Sequence, residues 1–149
     1  MLKAKDIMTR DVITVKPSTT IEELARILME HRISGVPVVD DNGNLAGVVT
    51  ENDLISQNKR LHIPTVFRLF DAFIMLESPA SMEKELKKMA ANTVAEIYTK
   101  DIITVREDTE LEEVATIMYE KKVHLIPVTE GLKIKGIIGK MDIIKGMKK

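Results

Sequence analysis

GVVTENDLI fills residues 47–55, and GIIGKMDII fills residues 136–144. Two nonapeptides of the same pattern in a chain of 149 residues raise the question of an internal repeat, which has to be settled before any element is read. Sliding the chain by 90 positions lays residues 8–40 over residues 98–130. From Thr9 to Val38, 13 of 30 positions are then identical. One residue is lost in the second copy's turn. From there the offset is 89, and Gly47, Asp53 and Ile55 fall on Gly136, Asp142 and Ile144. The chain is therefore two copies of one unit of about fifty residues, separated by a segment without a counterpart.

Each copy reads as five elements. VITV (12–15) is a β-branched run and predicts a strand. Ile21, Leu24, Ala25 and Leu28 stand at helical spacing. Thr19 with Glu22, and Thr109 with Glu112, predict capping boxes at the heads of the first helices. In GVPVVDDNGNLAGVVT two apolar runs flank Asn42-Gly43, the pattern of a hairpin, and Gly131 serves a shorter turn in the second copy. TENDLISQNKR predicts a second helix starting at Thr50. The expected fold is α+β: two β-α-β-β-α repeats, related by a pseudo-twofold axis and packed sheet to sheet as one module. The expected division is 1–58 for the first repeat, 59–92 for a helical connecting segment and 93–149 for the second repeat. In the connecting segment Phe67, Phe70 and Phe73 describe an apolar helix face. It suits either a crossover packed on its own domain or a contact with a partner. Ser81 would cap a further helix after Pro79.

Composition removes several function classes. With 22 basic and 23 acidic residues, the chain has no general attraction to nucleic acid or to an anionic membrane. The absence of cysteine excludes disulfides, thiolate metal sites and a cysteine nucleophile. His31, His62 and His124 show no metal-ligand spacing, so neither a metal nor a cofactor is expected. No nucleophile motif, Walker loop or dinucleotide fingerprint is present, and no base–nucleophile pair stands out, so the chain does not read as an enzyme. The N-terminus carries no apolar signal core and no run approaches a membrane span, which predicts a soluble, cytoplasmic protein.

DIMTRDVITV (6–15), RISGVPVVDDNG (32–43) and GVVTENDLI (47–55), each with a counterpart in matching order, resemble cystathionine-β-synthase (CBS) domains; the tandem resembles a Bateman module. The resemblance covers about two thirds of the chain. It implies a regulatory module that binds an adenine-based ligand, AMP, ADP or ATP, with S-adenosylmethionine as a relative of that class. It also implies a homodimer, and an effector protein acting in trans. In that reading Asp53 takes the ribose diol, as an acidic residue does in dinucleotide-binding folds, and Thr50 meets a ribose hydroxyl or a phosphate oxygen. Val12, Ile13, Val36 and Pro37 form the slot for the base. His124, three residues before Pro127, stands where nucleotide-binding members carry a phosphate-contacting His or Arg. It would serve the Asp53 cleft from the other copy.

The second cleft would comprise Ile102, Ile103, Ile126, Pro127, Gly139 and Asp142. It keeps the carboxylate but has Gly139 in place of Thr50, so weaker binding, a different ligand or vacancy is expected there. A purely structural role competes at each position. Thr50-x-x-Asp53 is also a capping box, His124 also suits the start of a strand, and His31, Arg32, Lys121 and Lys122 suit the negative end of a helix dipole. Two other functions stay open: a homodimeric structural module with vestigial clefts, and a nucleic-acid-binding CBS protein.

Overall fold

The structure is a computed structural model. It describes residues 2–61 and 92–148, with residues 57–61 described as backbone alone. Phe67, Phe70, Phe73, His62 and the helix expected after Ser81 lie outside the described residues.

The chain forms two compact units, and neither is a continuous stretch. The first unit joins Val15–Val38 to Gly47–Lys100; the second joins Met1–Thr14 and Val39–Ala46 to Asp101–Lys149. The elements are α1 (Ala4–Ile7), α2 (Ile21–His31), β1 (Gly35–Val39), β2 (Leu45–Thr50) and α3 (Glu51–Leu61). After a 3-10 turn at Val94–Glu96 come α4 (Leu111–Lys121), β3 (Leu125–Glu130), β4 (Lys133–Gly139) and α5 (Lys140–Met147).

In the first unit α2 turns Ile21, Leu24, Ala25 and Leu28 inward, the four positions that the helical spacing selected. Buried with them are Val15, Val36, Val38, Val48, Val49 and Val94. Each such aliphatic side chain contributes about 1.5–3 kcal/mol by leaving water. The second unit repeats the pattern with Val105, Val114, Met118, Ile126, Val128, Ile138 and Ile143, closed by Ala4 and Met8. Its β3 and β4 pair antiparallel, with Ile126 opposite Ile138 and Pro127 opposite Ile137, and a bulge between Val128 and Thr129.

The first residues of each repeat are built into the other repeat's unit. In the first unit the Val94 N–H donates to the Thr19 carbonyl and the Ala95 N–H to the Pro17 carbonyl; Thr99 bridges Val48. In the second unit the Ala4 N–H donates to the Thr109 carbonyl and the Lys5 N–H to the Glu107 carbonyl; Thr9 bridges Ile137. Val94 and Ala4 differ by 90 positions, as do Thr19 and Thr109, so the exchange obeys the repeat.

Two expectations are corrected. The strand expected at 12–15 is a single parallel bridge between Val15 and Val38, and Val105 bridges Val128 in the same way. Each sheet therefore has two strands. The Val15 N–H donates to the Pro37 carbonyl, and the Val105 N–H to the Pro127 carbonyl. Neither proline has an N–H with which to carry the ladder further toward the N-terminus. The second correction concerns the first helices. The α2 cap is Thr20, whose hydroxyl accepts the Glu23 N–H at 3.1 Å. Thr19 instead closes the preceding turn, its hydroxyl accepting the Lys16 N–H at 3.0 Å. Thr109 does the same for Arg106 at 3.0 Å, and α4 starts at Glu110 without a side-chain cap bond. A hydroxyl used in the turn is not available to the helix.

The hairpin turn is where the sequence puts it. Gly43 has φ +80° and Gly131 φ +62°, conformations that suit residues without Cβ. The Asp40 carboxylate also accepts the N–H groups of Asn42 and Asn44, both at 2.9 Å.

Candidate functional site

In the first unit β2 runs directly into α3, and the junction is a capping box. The Thr50 N–H and hydroxyl both donate to Oδ2 of Asp53, at 2.9 and 3.3 Å, and the Asp53 N–H donates back to the Thr50 hydroxyl at 3.4 Å. The Glu51 N–H donates to the Ser34 carbonyl at 2.8 Å, which ties the helix head to the residue before β1. Glu51 and Asp53 lie in the first helical turn, where the backbone dipole favours negative charge. Thr50 and Asp53 are half-buried. The structural role expected of this pair is thus present, and it occupies one carboxylate oxygen.

The second oxygen, Oδ1, faces the hydroxyl of Thr99 at 3.5 Å. Thr99 is held by backbone bonds exchanged with Val48, at 3.0 and 2.9 Å. This approach needs a glycine: a Cβ on Gly47 would lie 2.3 Å from the Thr99 carbonyl oxygen and 2.5 Å from the Tyr98 ring. Reading the sequence did not single out Thr99. Its signal was there, because Thr9 and Thr99 are an identical pair at the repeat offset.

The second unit has the same junction with less chemistry. The Gly139 N–H donates to Oδ2 of Asp142 at 2.8 Å, at the head of α5. A Cβ on Gly139 would meet nothing nearer than 3.8 Å, and the residue's φ of −106° is open to any amino acid. His124 is exposed at the start of β3, its carbonyl 3.9 Å from that Cβ position.

Of the remaining predicted residues, Val36 and Pro37 in the first unit and Ile126 and Pro127 in the second are fully buried strand residues. Val12, Ile13, Ile102 and Ile103 are half-buried and belong to the second unit. The structure thus brings Thr50, Asp53, Val36 and Pro37 into one unit. Gly139, Asp142, His124, Ile126, Pro127 and the two isoleucine-bearing segments lie in the other. Elsewhere on the second unit, an open hollow of about 450 Å³ is lined by Arg106, Glu113 and Thr129 among others and contains none of the predicted residues. Among the described residues no group of acidic or histidine side chains could hold a metal ion, and no helix is long and apolar enough to cross a membrane.

Comparison with known proteins adds the following. The family model described as CBS domain matches residues 4–59 and 94–149. The chain is 30% identical over 151 residues to the chloroplastic CBS domain-containing protein CBSX2 of Arabidopsis thaliana, covering 94% of this chain and 61% of that protein. It is 30% identical over 147 residues to inosine-5'-monophosphate dehydrogenase of Methanocaldococcus jannaschii, covering 98% of this chain and 24% of that one. It thus spans about three fifths of the first relative and a quarter of the second. Among solved structures, CBSX2 in complex with AMP superposes with a TM-score of 0.74 at 26% identity, covering 99% of this chain and 97% of the other. The CBS domain pair of protein MJ0100, in complex with 5-methylthioadenosine and S-adenosyl-L-methionine, gives 0.71 at 28% identity, covering 100% and 99%.

Proposed function

The chain belongs to the CBS-domain family, and from that premise we propose that it is a non-catalytic, ligand-sensing regulatory module. Its ligand is an adenine nucleotide of the AMP, ADP or ATP class, held at the Asp53 cleft, and the bound state is passed to a partner protein in trans. The carrying observation is the Thr50–Asp53 pair: a half-buried carboxylate and hydroxyl at a helix head, with carboxylate Oδ1 not taken by the cap. The complexes of CBSX2 with AMP and of MJ0100 with adenosyl compounds support the ligand class.

In this reading Asp53 Oδ1 accepts a ribose hydroxyl, and Thr50 offers its oxygen beside it. Signalling follows only if the ligand has different affinities for two states of the module. The assembly we propose is a homodimer. Met141, Ile144 and Met147, exposed at a spacing of three along α5, supply an apolar stripe that supports it. We place the protein in the cytoplasm, as the cysteine-free composition suits a reducing compartment.

The test has two parts. Mass spectrometry of small molecules released on denaturing the purified protein should find an adenine nucleotide. Calorimetric titration with adenosine, AMP, ATP and S-adenosylmethionine should then show binding that Asp53→Asn weakens. Asparagine keeps an acceptor for the cap and nearly the same volume, so the loss reports the charge. Parent-like affinity for every ligand in Asp53→Asn would reduce Asp53 to a helix cap. His124→Ala should weaken AMP and ATP and leave adenosine unchanged.

A further inference from the structure

Among the described residues Thr129 is the one polar side chain that is buried, at 8% exposure, and it follows Ile126 and Val128 of the core. Its N–H donates to the Val105 carbonyl at 2.9 Å, which ties it to the residue before Arg106. A bulge lies between Val128 and Thr129 and interrupts the regular alternation of faces there. The Thr129 hydroxyl has no hydrogen-bond partner among the described residues, yet none of their fully sealed polar atoms lacks one. This oxygen therefore opens onto the space that Thr129 lines.

That space is the hollow of about 450 Å³, within the size range of small-molecule sites. Its charged lining among the described residues is one guanidinium, Arg106, and one carboxylate, Glu113, with an aliphatic wall at Ile117. An adjoining hollow of about 310 Å³ shares Arg106 and Thr129 and adds the carboxylates of Glu107, Asp108 and Glu130, the last paired with Lys135 at 3.5 Å. Thr129 stands four residues along β3 from Leu125, which pairs with Gly139. About 13 Å of strand thus separates it from the Asp142 junction.

We propose that this hollow is a second ligand site, separate from the Asp53 cleft, and that it takes a free α-amino acid with a cationic side chain. Arg106 holds the ligand carboxylate in a two-bond fork. Glu113 pairs with the α-ammonium, and the Thr129 hydroxyl accepts one of its protons, which gives a largely desolvated oxygen the partner it lacks. The carboxylates of the adjoining hollow meet the charge of the ligand side chain. In the first repeat Lys16, Glu23 and Val39 fall on Arg106, Glu113 and Thr129 at the offset of 90, so the hydroxyl belongs to the second repeat alone.

The experiment titrates parent, Thr129→Val and Arg106→Gln calorimetrically with free lysine, glutamate and cadaverine, the last being lysine without its carboxylate. Parent should bind lysine at millimolar concentration or below. It should bind glutamate and cadaverine roughly tenfold more weakly, the scale of one hydrogen bond to a charged group. Each variant should lose roughly tenfold in lysine affinity. Thr129→Val copies the first repeat's Val39 and removes a hydroxyl without a partner, so its ligand-free melting temperature should be no lower than the parent's. A lower one would give the hydroxyl a structural task and overturn the proposal. So would a parent that binds no lysine, parent-like lysine affinity in either variant, or glutamate or cadaverine bound as tightly as lysine.

Discussion

Thr50 and Gly139 occupy the same place in the two repeats, one residue before a helix whose third residue is an aspartate. Both aspartates turn back to accept the preceding N–H, at 2.9 and 2.8 Å. The capping geometry thus survives the loss of the hydroxyl, because the bond that holds it goes to the backbone. What Gly139 lacks is the second polar group beside the carboxylate. The comparison separates two roles that the sequence presents as one. The aspartate's bond to the preceding backbone is common to both helix heads, and the Thr50 hydroxyl, which also accepts the Asp53 N–H at 3.4 Å, is present at the first alone.

The largest break in the symmetry is expected at the two glycines that open the nonapeptides. A methyl on Gly47 would run into the backbone oxygen of Thr99 at 2.3 Å, as well as the Tyr98 ring. A methyl on Gly136 would meet the Sδ of Met8 at 2.5 Å, and the Thr9 carbonyl oxygen lies at 3.0 Å. A thioether end can swing aside and a bridged carbonyl cannot. Gly47→Ala should therefore cost about 3 kcal/mol or more, and Gly136→Ala roughly 1–2 kcal/mol. Chemical denaturation of the two variants checks the order. Equal losses would mean that the two leading segments are held with equal rigidity.

How much of this was legible in the sequence follows from the same residues. The nonapeptides exposed the repeat, and with it the helix–hairpin–helix order, since self-similarity and periodicity need no long-range information. The glycine at the hairpin tip announced itself through Asn42-Gly43. The exchange of leading segments did not, because local pattern cannot say which copy a segment pairs with. The strand at 12–15 failed for a related reason. Its β-branched residues fit a strand, but its ladder partner carries a proline. The α2 cap slipped by one residue because two adjacent threonines competed and the turn after Val15 took Thr19; in the second repeat the turn took Thr109 and Glu110 follows it without a cap bond. At the site, Thr50 and Asp53 were visible as a motif, whereas Thr99 lies 46 residues away and joins them through tertiary structure alone.

The next effect tests the carboxylates against each other. Asp53→Ala should lower nucleotide affinity by about 1.5–3 kcal/mol, and Asp142→Ala by much less. Both should lose about 1 kcal/mol of stability, because both remove the same backbone cap. Equal stability losses with unequal binding losses would establish the division of roles; calorimetry and thermal unfolding on the same samples read both. The hydroxyl can then be moved. Thr50→Gly should cost the first cleft roughly tenfold in affinity. Gly139→Thr should fold without strain, since its Cβ has at least 3.8 Å of clearance. A gain in binding from Gly139→Thr, counted as an increased stoichiometry, would show that the second cleft had kept the rest of its pocket.

The smallest effect is a case where the two repeats should agree. Arg32 and Lys122 end the first helix of each repeat in the left-handed region, at φ 52° and 55°. In both, the next N–H reaches back to close the helix: Ile33 donates to the Leu28 carbonyl and Val123 to the Met118 carbonyl, at 3.1 and 3.2 Å. This closure normally uses glycine, since a Cβ in that conformation costs about 1–2 kcal/mol. Glycine would remove the strain, but it would also free the unfolded chain and take away a charge that favours the helix's negative end. Those two opposing contributions return several tenths of a kcal/mol. Arg32→Gly and Lys122→Gly should therefore each stabilise by only about 0.5 kcal/mol, roughly 1–2 °C in melting temperature for a chain of this size. The gains should match and should add in the double variant, since the sites lie in separate units and share no partner among the described residues. A loss at Arg32 alone would mean that its guanidinium does more than end a helix. It would then join Thr50 among the features that set the first repeat apart.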